Sequence, residues 1–127
     1  MNAPREPLPP RILLVDIEPA MAALFVEWLA ADGLMADSDM TRTEPPAALI
    51  LIDLPFPRQR GREPLERLQR TWPGVPVAVL SPTLLPGVSP QGEVARALGA
   101  AAVLPSPVSR ESLRAAIFGL LKVQRPA

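Results

Sequence analysis

Histidine, cysteine and tyrosine are absent from this 127-residue chain, and lysine occurs once, at Lys122. Without histidine or cysteine the chain cannot form a Ser-His-Asp or Cys-His catalytic group, a thiolate zinc site, a disulfide or a phosphohistidine. Only oxygen ligands, which suit hard cations, are then left to hold a metal ion. Three Phe and two Trp are too few for a surface that stacks nucleic-acid bases.

Charge and hydropathy exclude further classes of partner. Lys+Arg and Asp+Glu each total 13, so the formal net charge is zero and no overall positive field attracts nucleic acid. The apolar runs are far shorter than a membrane span, and the first ten residues contain no hydrophobic signal segment. We therefore expect a cytoplasmic protein that binds neither nucleic acid nor membranes.

The length suits one domain with short extensions. Four of the first ten residues are proline, which predicts a disordered leader over 1–10. The domain is then predicted over 11–122, with a tail over 123–127. We expect no output domain, because so little chain lies outside the predicted domain.

Unbroken apolar runs alternate with helical patterns along the domain. Runs without polar alternation are typical of strands buried on both faces of a parallel sheet. They occupy 12–15, 48–52, 75–80 and, more weakly, 101–104, with room for a short strand at 34–38. Helical spacing occupies 19–31, 64–72, 92–98 and 109–121. This order predicts an α/β fold with a parallel sheet, helices on both faces, and the second helix shortened or missing.

Polar residues follow the predicted strands at the edge where such sheets bind ligands. Asp16 and Asp53 each follow a buried strand, and Ser81 ends another. Two carboxylates ~4 Å apart repel by roughly 4 kcal/mol at an effective dielectric near 20, so a folded protein relieves them with a cation or a raised pKa. The pair predicts a phosphate-binding Mg²⁺ site, and helix capping by each Asp is the alternative.

Five segments in this order resemble the receiver domains of two-component response regulators. They are Ile12–Pro19, Leu51–Pro57 with Gly61, Val77–Ser81, Ala97–Ala100 and Pro105–Pro107. The resemblance spans about 11–121 and implies a flavodoxin-like, doubly wound sheet of five parallel strands in the order 2-1-3-4-5. It implies a signalling domain rather than an enzyme, which takes phosphate from a partner histidine kinase or phosphotransfer protein and acts through a downstream protein.

The resemblance also assigns roles to individual positions. Asp53 corresponds to the phosphoacceptor, and Ser81 to the hydroxyl that hydrogen-bonds the phosphoryl group. Asp16, Asp53 and the backbone carbonyl of Pro55 correspond to the Mg²⁺ ligands. The structural positions are Pro57, Gly61 and Pro107, the last in a cis peptide with Ser106.

Three positions depart from the family pattern. Ile17 replaces the second acidic residue, Ser106 replaces the lysine that pairs with the phosphoryl group, and Val103 replaces the aromatic residue that moves after phosphorylation. Mg²⁺ binding is therefore expected to be weak or absent, and phosphorylation slow or poorly coupled. The alternative is a phosphorylation-independent pseudo-receiver that serves as an interaction or dimerisation module.

A third reading, a small flavodoxin-like ligand binder or enzyme, is disfavoured. No strand is followed by a glycine-rich phosphate loop, and the histidine, cysteine and suitably placed lysine of many active sites are missing.

Two further features have both a functional and a plain reading. Arg58, Arg60 and Arg62 follow Asp53 and could replace the lost lysine's charge, although a solvated arginine loop is the simpler interpretation. The apolar stripe of the last helix is chiefly core, and part of it could join a patch for homodimerisation through the last two helices and last strand. The residues concerned are Leu113, Ala116, Ile117 and Leu120, with Val103 and Val108.

Overall fold

Five parallel strands form one sheet in the computed structural model, which describes residues 9–55, 62–83 and 89–124, with side chains of the last helix up to Lys122. The sheet order is β2-β1-β3-β4-β5. The strands are β1 (Arg11–Val15), β2 (Met35–Asp37), β3 (Ala47–Asp53), β4 (Val77–Ser81) and β5 (Ala102–Pro105). The helices of the described ranges are α1 (Pro19–Ala31), α2 (Arg62–Thr71), α3 (Glu93–Leu98) and α4 (Arg110–Gln124). The predicted doubly wound fold and strand order are confirmed.

Prolines explain two differences between the predicted and observed boundaries. β4 begins at Val77 rather than at Val75, because Pro76 has no N–H to donate to a neighbouring strand; its carbonyl accepts the Ile50 N–H at 2.9 Å. α2 begins at Arg62, before the predicted start at Pro64, because a proline fits within a first turn whose N–H groups have no helical partner.

Alternate residues of each strand enter two separate cores. One core, called here the α1–α4 core, contains Phe25 and Leu29 of α1, Leu113 and Ile117 of α4, and strand residues such as Leu14. The opposite α2–α3 core contains Leu65, Leu68, Ala95, Leu98 and the intervening strand residues, among them Ile52 and Val103. Within the described residues, no helix is long and apolar enough to cross a membrane.

The predicted stripe of the last helix is core, but the predicted surface patch is wrong. Leu113, Ile117 and Leu120 are buried, as expected. Val103 is only 1% exposed and Val108 only 8%, because β5 places Val103 in the α2–α3 core while Val108 joins the α1–α4 core. Neither side chain can contribute to a surface for dimerisation.

A loop replaces the helix that would otherwise join β2 to β3, as predicted. Residues 38–46 contain no helix, and a buried arginine at the start of β1 holds them. Arg11 forms an ion pair with Asp37 at 2.7 Å and donates to the backbone carbonyls of Asp39 and Arg42. The hydrogen bond from Arg11 holds the pKa of Asp37 below its ordinary value of 3.8. This buried charge is a structural device that the sequence analysis did not predict.

The chain ends fall largely outside the described residues. Of the predicted leader, the structure describes only Pro9 and Pro10, and the tail lies beyond the last described side chain. α4 begins at Arg110, one residue after the start of the predicted range 109–121, because the Ser109 hydroxyl accepts the Ser112 N–H at 3.0 Å and so caps the helix.

Candidate functional site at the carboxyl edge of the sheet

The register of the sheet brings the predicted site positions to one edge. Val15 is paired with Ile52, so the residues that follow them, Asp16 and Asp53, lie at the ends of adjacent strands. Backbone hydrogen bonds continue past the strand ends: the Leu54 N–H donates to the Leu80 carbonyl at 2.8 Å, and the Ser106 N–H donates to the Ser81 carbonyl at 2.9 Å. The ends of β3, β4 and β5 are therefore tied together at this edge.

Asp53 has a carboxylate oxygen that is buried without compensation. Its Oδ1 atom is inaccessible to solvent and has no hydrogen-bond partner among the described residues. Burial raises the pKa of Asp53 above its ordinary value of 3.8. The cause is desolvation rather than the predicted repulsion by Asp16. Asp16 is itself exposed and has a left-handed backbone with φ of 53°, which Asp tolerates better than most residues.

A chain of hydrogen bonds joins β4 to the loop after β3. The Thr83 hydroxyl donates to the Pro55 carbonyl at 2.7 Å and lies 3.0 Å from the Ser81 hydroxyl. Because a hydroxyl has one hydrogen, Ser81 is the donor in its bond with Thr83. The Thr83 N–H also donates to Ser81 Oγ at 3.2 Å, a local turn bond typical of serine. Two groups predicted to meet phosphate and Mg²⁺ are therefore engaged by Thr83.

Thr83 is a site residue that the sequence analysis missed. The available signal was a second hydroxyl two residues after Ser81, the spacing at which a serine side chain bonds the backbone N–H ahead of it. That spacing predicts the turn, but the contact with Pro55 depends on the neighbouring loop.

The three departures from the family pattern occupy distinct environments. Ile17 is partly buried and packs against the α1–α4 core. Its hydrocarbon side chain offers no oxygen ligand at the edge. Ser106 is half-buried beside the end of β4, and its peptide bond to Pro107 is cis, as predicted. Val103 is fully enclosed in the α2–α3 core.

The arginine loop is only partly described. Arg62 is exposed at the start of α2 and lies 3.9 Å from Glu66, which agrees with the solvated interpretation for this residue. Arg58 and Arg60, together with the structural positions Pro57 and Gly61, lie outside the described residues.

The oxygen donors at the edge suit Mg²⁺ in kind, although they are few. Asp16, Asp53 and the Pro55 carbonyl are hard ligands, and the unpartnered Oδ1 of Asp53 has free lone pairs. In the described ranges no group of three or more acidic side chains could hold a metal ion. An ion held by so few protein oxygens would keep several water ligands.

The uncompensated burial of Asp53 predicts that Asp53→Asn stabilises the protein. At neutral pH we expect the free energy of unfolding to rise by at most about 1 kcal/mol, since a neutral amide is easier to desolvate than a carboxylate but the Asp53 side chain is partly exposed, which reduces the gain. Because the pKa of Asp53 is higher in the folded than in the unfolded protein, the wild type loses stability as the pH rises from 3.8 through the folded-state pKa. The stability gained by Asp53→Asn is therefore complete at neutral pH and disappears below pH 3.8. Urea unfolding at both pH values measures the difference.

Asp16→Asn is the matched control, because Asn also tolerates the left-handed backbone and Asp16 is exposed. Its free energy of unfolding should change by no more than about 0.5 kcal/mol. Equal effects of the two substitutions would contradict the assignment of the effect to the buried oxygen of Asp53.

Comparison with protein-family models and with curated proteins finds no match for this chain. Solved structures do match. A response regulator from Thermotoga maritima superposes with a TM-score of 0.71 at 18% identity, covering 91% of this chain and 99% of that one. A CheY-like receiver domain protein from Methanospirillum hungatei gives 0.69 at 23% identity, with 91% and 96% covered. A response regulator receiver protein from Burkholderia phymatum gives 0.66 at 20% identity, with 93% and 99% covered. This chain therefore has the receiver-domain fold.

Proposed function

We propose that this chain is a receiver domain of two-component signalling in which Asp53 accepts a phosphoryl group from the phosphohistidine of a partner kinase or phosphotransfer protein. The observation that carries the proposal is the unpartnered, desolvated Oδ1 of Asp53 at the carboxyl edge of a receiver-like sheet. A buried carboxylate oxygen without a hydrogen bond is costly to stability, and such cost is typical of functional positions. In this proposal the protein acts in the cytoplasm, and its signal passes through a downstream protein.

A carboxylate oxygen of Asp53 forms an O–P bond as the P–N bond of phosphohistidine breaks, and the electron pair of that bond returns to the imidazole nitrogen. Asp16, Asp53 and the Pro55 carbonyl would hold Mg²⁺, whose charge offsets that of the transferring phosphoryl group. Because Oδ1 of Asp53 is buried, an electrostatic interaction made at that atom is stronger than the same interaction in water.

The hydrogen bonds of Ser81 and Thr83 oppose this reaction and lower its expected rate. To donate to a phosphoryl oxygen, the Ser81 hydroxyl must give up its bond to Thr83, a bond worth on the order of 1 kcal/mol. The Pro55 carbonyl accepts the Thr83 hydroxyl, so it would have to share its lone pairs between that hydroxyl and a bound Mg²⁺ ion. With Ser106 supplying no cation, we expect phosphorylation to be slow.

A second candidate function is a phosphorylation-independent pseudo-receiver. The observation that favours it is the Ser81–Thr83–Pro55 hydrogen-bond chain, which engages both the hydroxyl and the carbonyl without any phosphate. In this reading the edge is a fixed structure, and the protein works as a constitutive interaction module.

Phosphoryl incorporation separates the two functions. Intact-mass measurement after incubation with acetyl phosphate and Mg²⁺ should show one added phosphoryl group on the wild type and none on Asp53→Asn. Thr83→Val frees Ser81 and Pro55 and should increase the labelled fraction, whereas Thr83→Ser keeps a hydroxyl and should behave as the wild type. An unlabelled wild type and an unlabelled Thr83→Val protein would overturn the phosphoacceptor proposal and favour the pseudo-receiver.

A further inference from the structure

The outer face of α4 carries a seam of exposed residues that the candidate site does not use. Glu111, Ala115, Phe118 and Lys122 are all exposed and follow one another at intervals of four, three and four residues. This is the a/d spacing of a coiled-coil seam. The inward face of the same helix is already packed in the α1–α4 core, so the seam is a second, separate helix surface.

Phe118 is an apolar side chain held in place at this surface. It is 38% exposed, and the Arg114 guanidinium lies 5.8 Å from the centre of its ring. Arg114 is in turn held by Asp32 at the end of α1, with an Nε–Oδ1 distance of 3.5 Å. A cation over the ring and an anion behind the cation limit the positions of Phe118, which lowers the entropy lost when the ring is buried.

A depression lies beside the ring. It has a volume of about 350 Å³ and is lined by Glu111, Arg114, Ala115 and Phe118. These residues stand at i, i+3, i+4 and i+7, which is the four-residue hole that receives a knob in coiled-coil packing. Gly119 lies one turn after Ala115, and a Cβ atom built on it would meet no atom within 4 Å. The surface next to the depression is therefore also open.

The seam is complementary to itself when two helices run antiparallel. A twofold axis at the middle of the seam places Glu111 opposite the partner's Lys122 and Phe118 opposite the partner's Ala115. Opposite charges therefore meet at both ends, and a large side chain meets a small one in both central layers. A parallel pair would instead place Glu111 against the partner's Glu111 and Lys122 against the partner's Lys122.

We propose that a second copy of this chain docks on the seam through an antiparallel, twofold-symmetric α4–α4 contact in which Phe118 fills the partner's depression. The contact involves about three turns of each helix. The area buried by so short a contact is smaller than the roughly 1,600 Å² of a standard interface. The dimer is therefore weak and forms reversibly at high concentration. The contact is on α4 alone, whereas β5 and its Val103 stay in the interior.

Charge reversal tests the pairing. In sedimentation equilibrium from micromolar to millimolar concentration, Glu111→Lys and Lys122→Glu should each lower the association constant by about tenfold or more, because like charges then face each other at both ends. The double variant restores opposite charges and should return to within about threefold of the wild type. Circular dichroism and thermal unfolding of each variant check that α4 remains folded.

Phe118→Ala should also abolish association, whereas Leu24→Ala, which truncates an equally exposed apolar residue on α1, should not. A wild type that stays monomeric at millimolar concentration would overturn the proposal. So would a double charge variant that behaves as the two single variants do. Phosphoryl labelling of Asp53 does not depend on either result, so the failure of this proposal and the failure of the proposed function are distinguishable.

Engineered disulfides test the antiparallel register directly, since the chain has no native cysteine. In a Glu111→Cys, Lys122→Cys protein the two thiols are about 16 Å apart along the same helix and cannot join within one chain. Mild oxidation should therefore give a covalent dimer, and each single-cysteine protein should remain monomeric. Dimers from the single-cysteine proteins alone would show a parallel contact and would contradict the proposed geometry.

Discussion

Replacing Arg11 by alanine is expected to lower the free energy of unfolding by about 3–5 kcal/mol, which is the cost of breaking a buried ion pair from one side. Arg11 is only 1% exposed, and its guanidinium serves both Asp37 and the carbonyls of the 38–46 loop. Without it, a partly buried carboxylate and several loop carbonyls lose their donor. Urea unfolding at neutral pH measures the loss.

Arg42→Ala is the matched control for this prediction. Arg42 also faces Asp37, at 3.4 Å, but its side chain is 41% exposed, and an exposed pair contributes no more than about 1 kcal/mol. Because Arg11 holds the pKa of Asp37 below its ordinary value of 3.8, the stability from this pair is present above pH 3.8 and is lost as the pH falls through the lowered pKa. Equal losses in Arg11→Ala and Arg42→Ala would show that the loop does not depend on the buried charge.

Ser106→Lys is expected to speed phosphoryl incorporation at Asp53 by on the order of 100-fold. In the proposed reaction, the substitution supplies a cation at the edge where charge develops on the transferring group, and single contacts of this kind are worth about that factor. Ser106 is well placed for it, because its N–H is bonded to the Ser81 carbonyl at the end of β4. The rate is read from the time course of intact mass with acetyl phosphate and Mg²⁺.

Ser106→Met controls for the added length without charge and should label at the wild-type rate. A similar gain in the methionine variant would assign the effect to packing. No gain in the lysine variant would show that the phosphoryl group does not approach the end of β5, which contradicts the proposed site.

The sheet was predictable from sequence because its strands are buried on both faces. The unbroken apolar runs over 12–15, 48–52 and 75–80 are typical of strands in a covered parallel sheet, and each of the three becomes a strand with small shifts at its ends. Helix ends were predictable where glycine supplies a left-handed backbone, as at Gly33 and Gly99, which have φ of 80° and 75°. Local sequence patterns were thus sufficient to predict the strands and helices, while the strand order was predicted from the family resemblance.

The hydrogen bonds by which Arg11 holds residues 38–46 were not predictable, because they join groups that are far apart in the sequence. An arginine at the start of a strand is expected to be exposed, and nothing in the pattern of residues 38–46 shows that their carbonyls converge on Arg11. Burial of Val103 and Val108 was also missed, since a valine near a strand end is equally suited to core and surface. Both depend on tertiary packing rather than local sequence.

At the candidate site, the sequence predicted that the site residues lie at the carboxyl edge of the sheet, which the structure shows, but it did not predict their interactions. The positions of Asp16, Asp53 and Ser81 follow from strand ends in a parallel sheet. The cause of the raised pKa of Asp53 and the role of Thr83 do not, because desolvation and hydroxyl orientation depend on the loops packed over the strand ends.

The most direct test of the account is a crystal structure of the protein with Mg²⁺ and beryllofluoride. The account predicts a beryllofluoride group on a carboxylate oxygen of Asp53, with the Ser81 hydroxyl turned from Thr83 to a fluorine atom. It predicts Mg²⁺ between Asp16, Asp53 and the Pro55 carbonyl. An unmodified Asp53, with the Ser81–Thr83–Pro55 bonds intact at saturating ligand, would contradict the claim that this edge of the sheet receives phosphate.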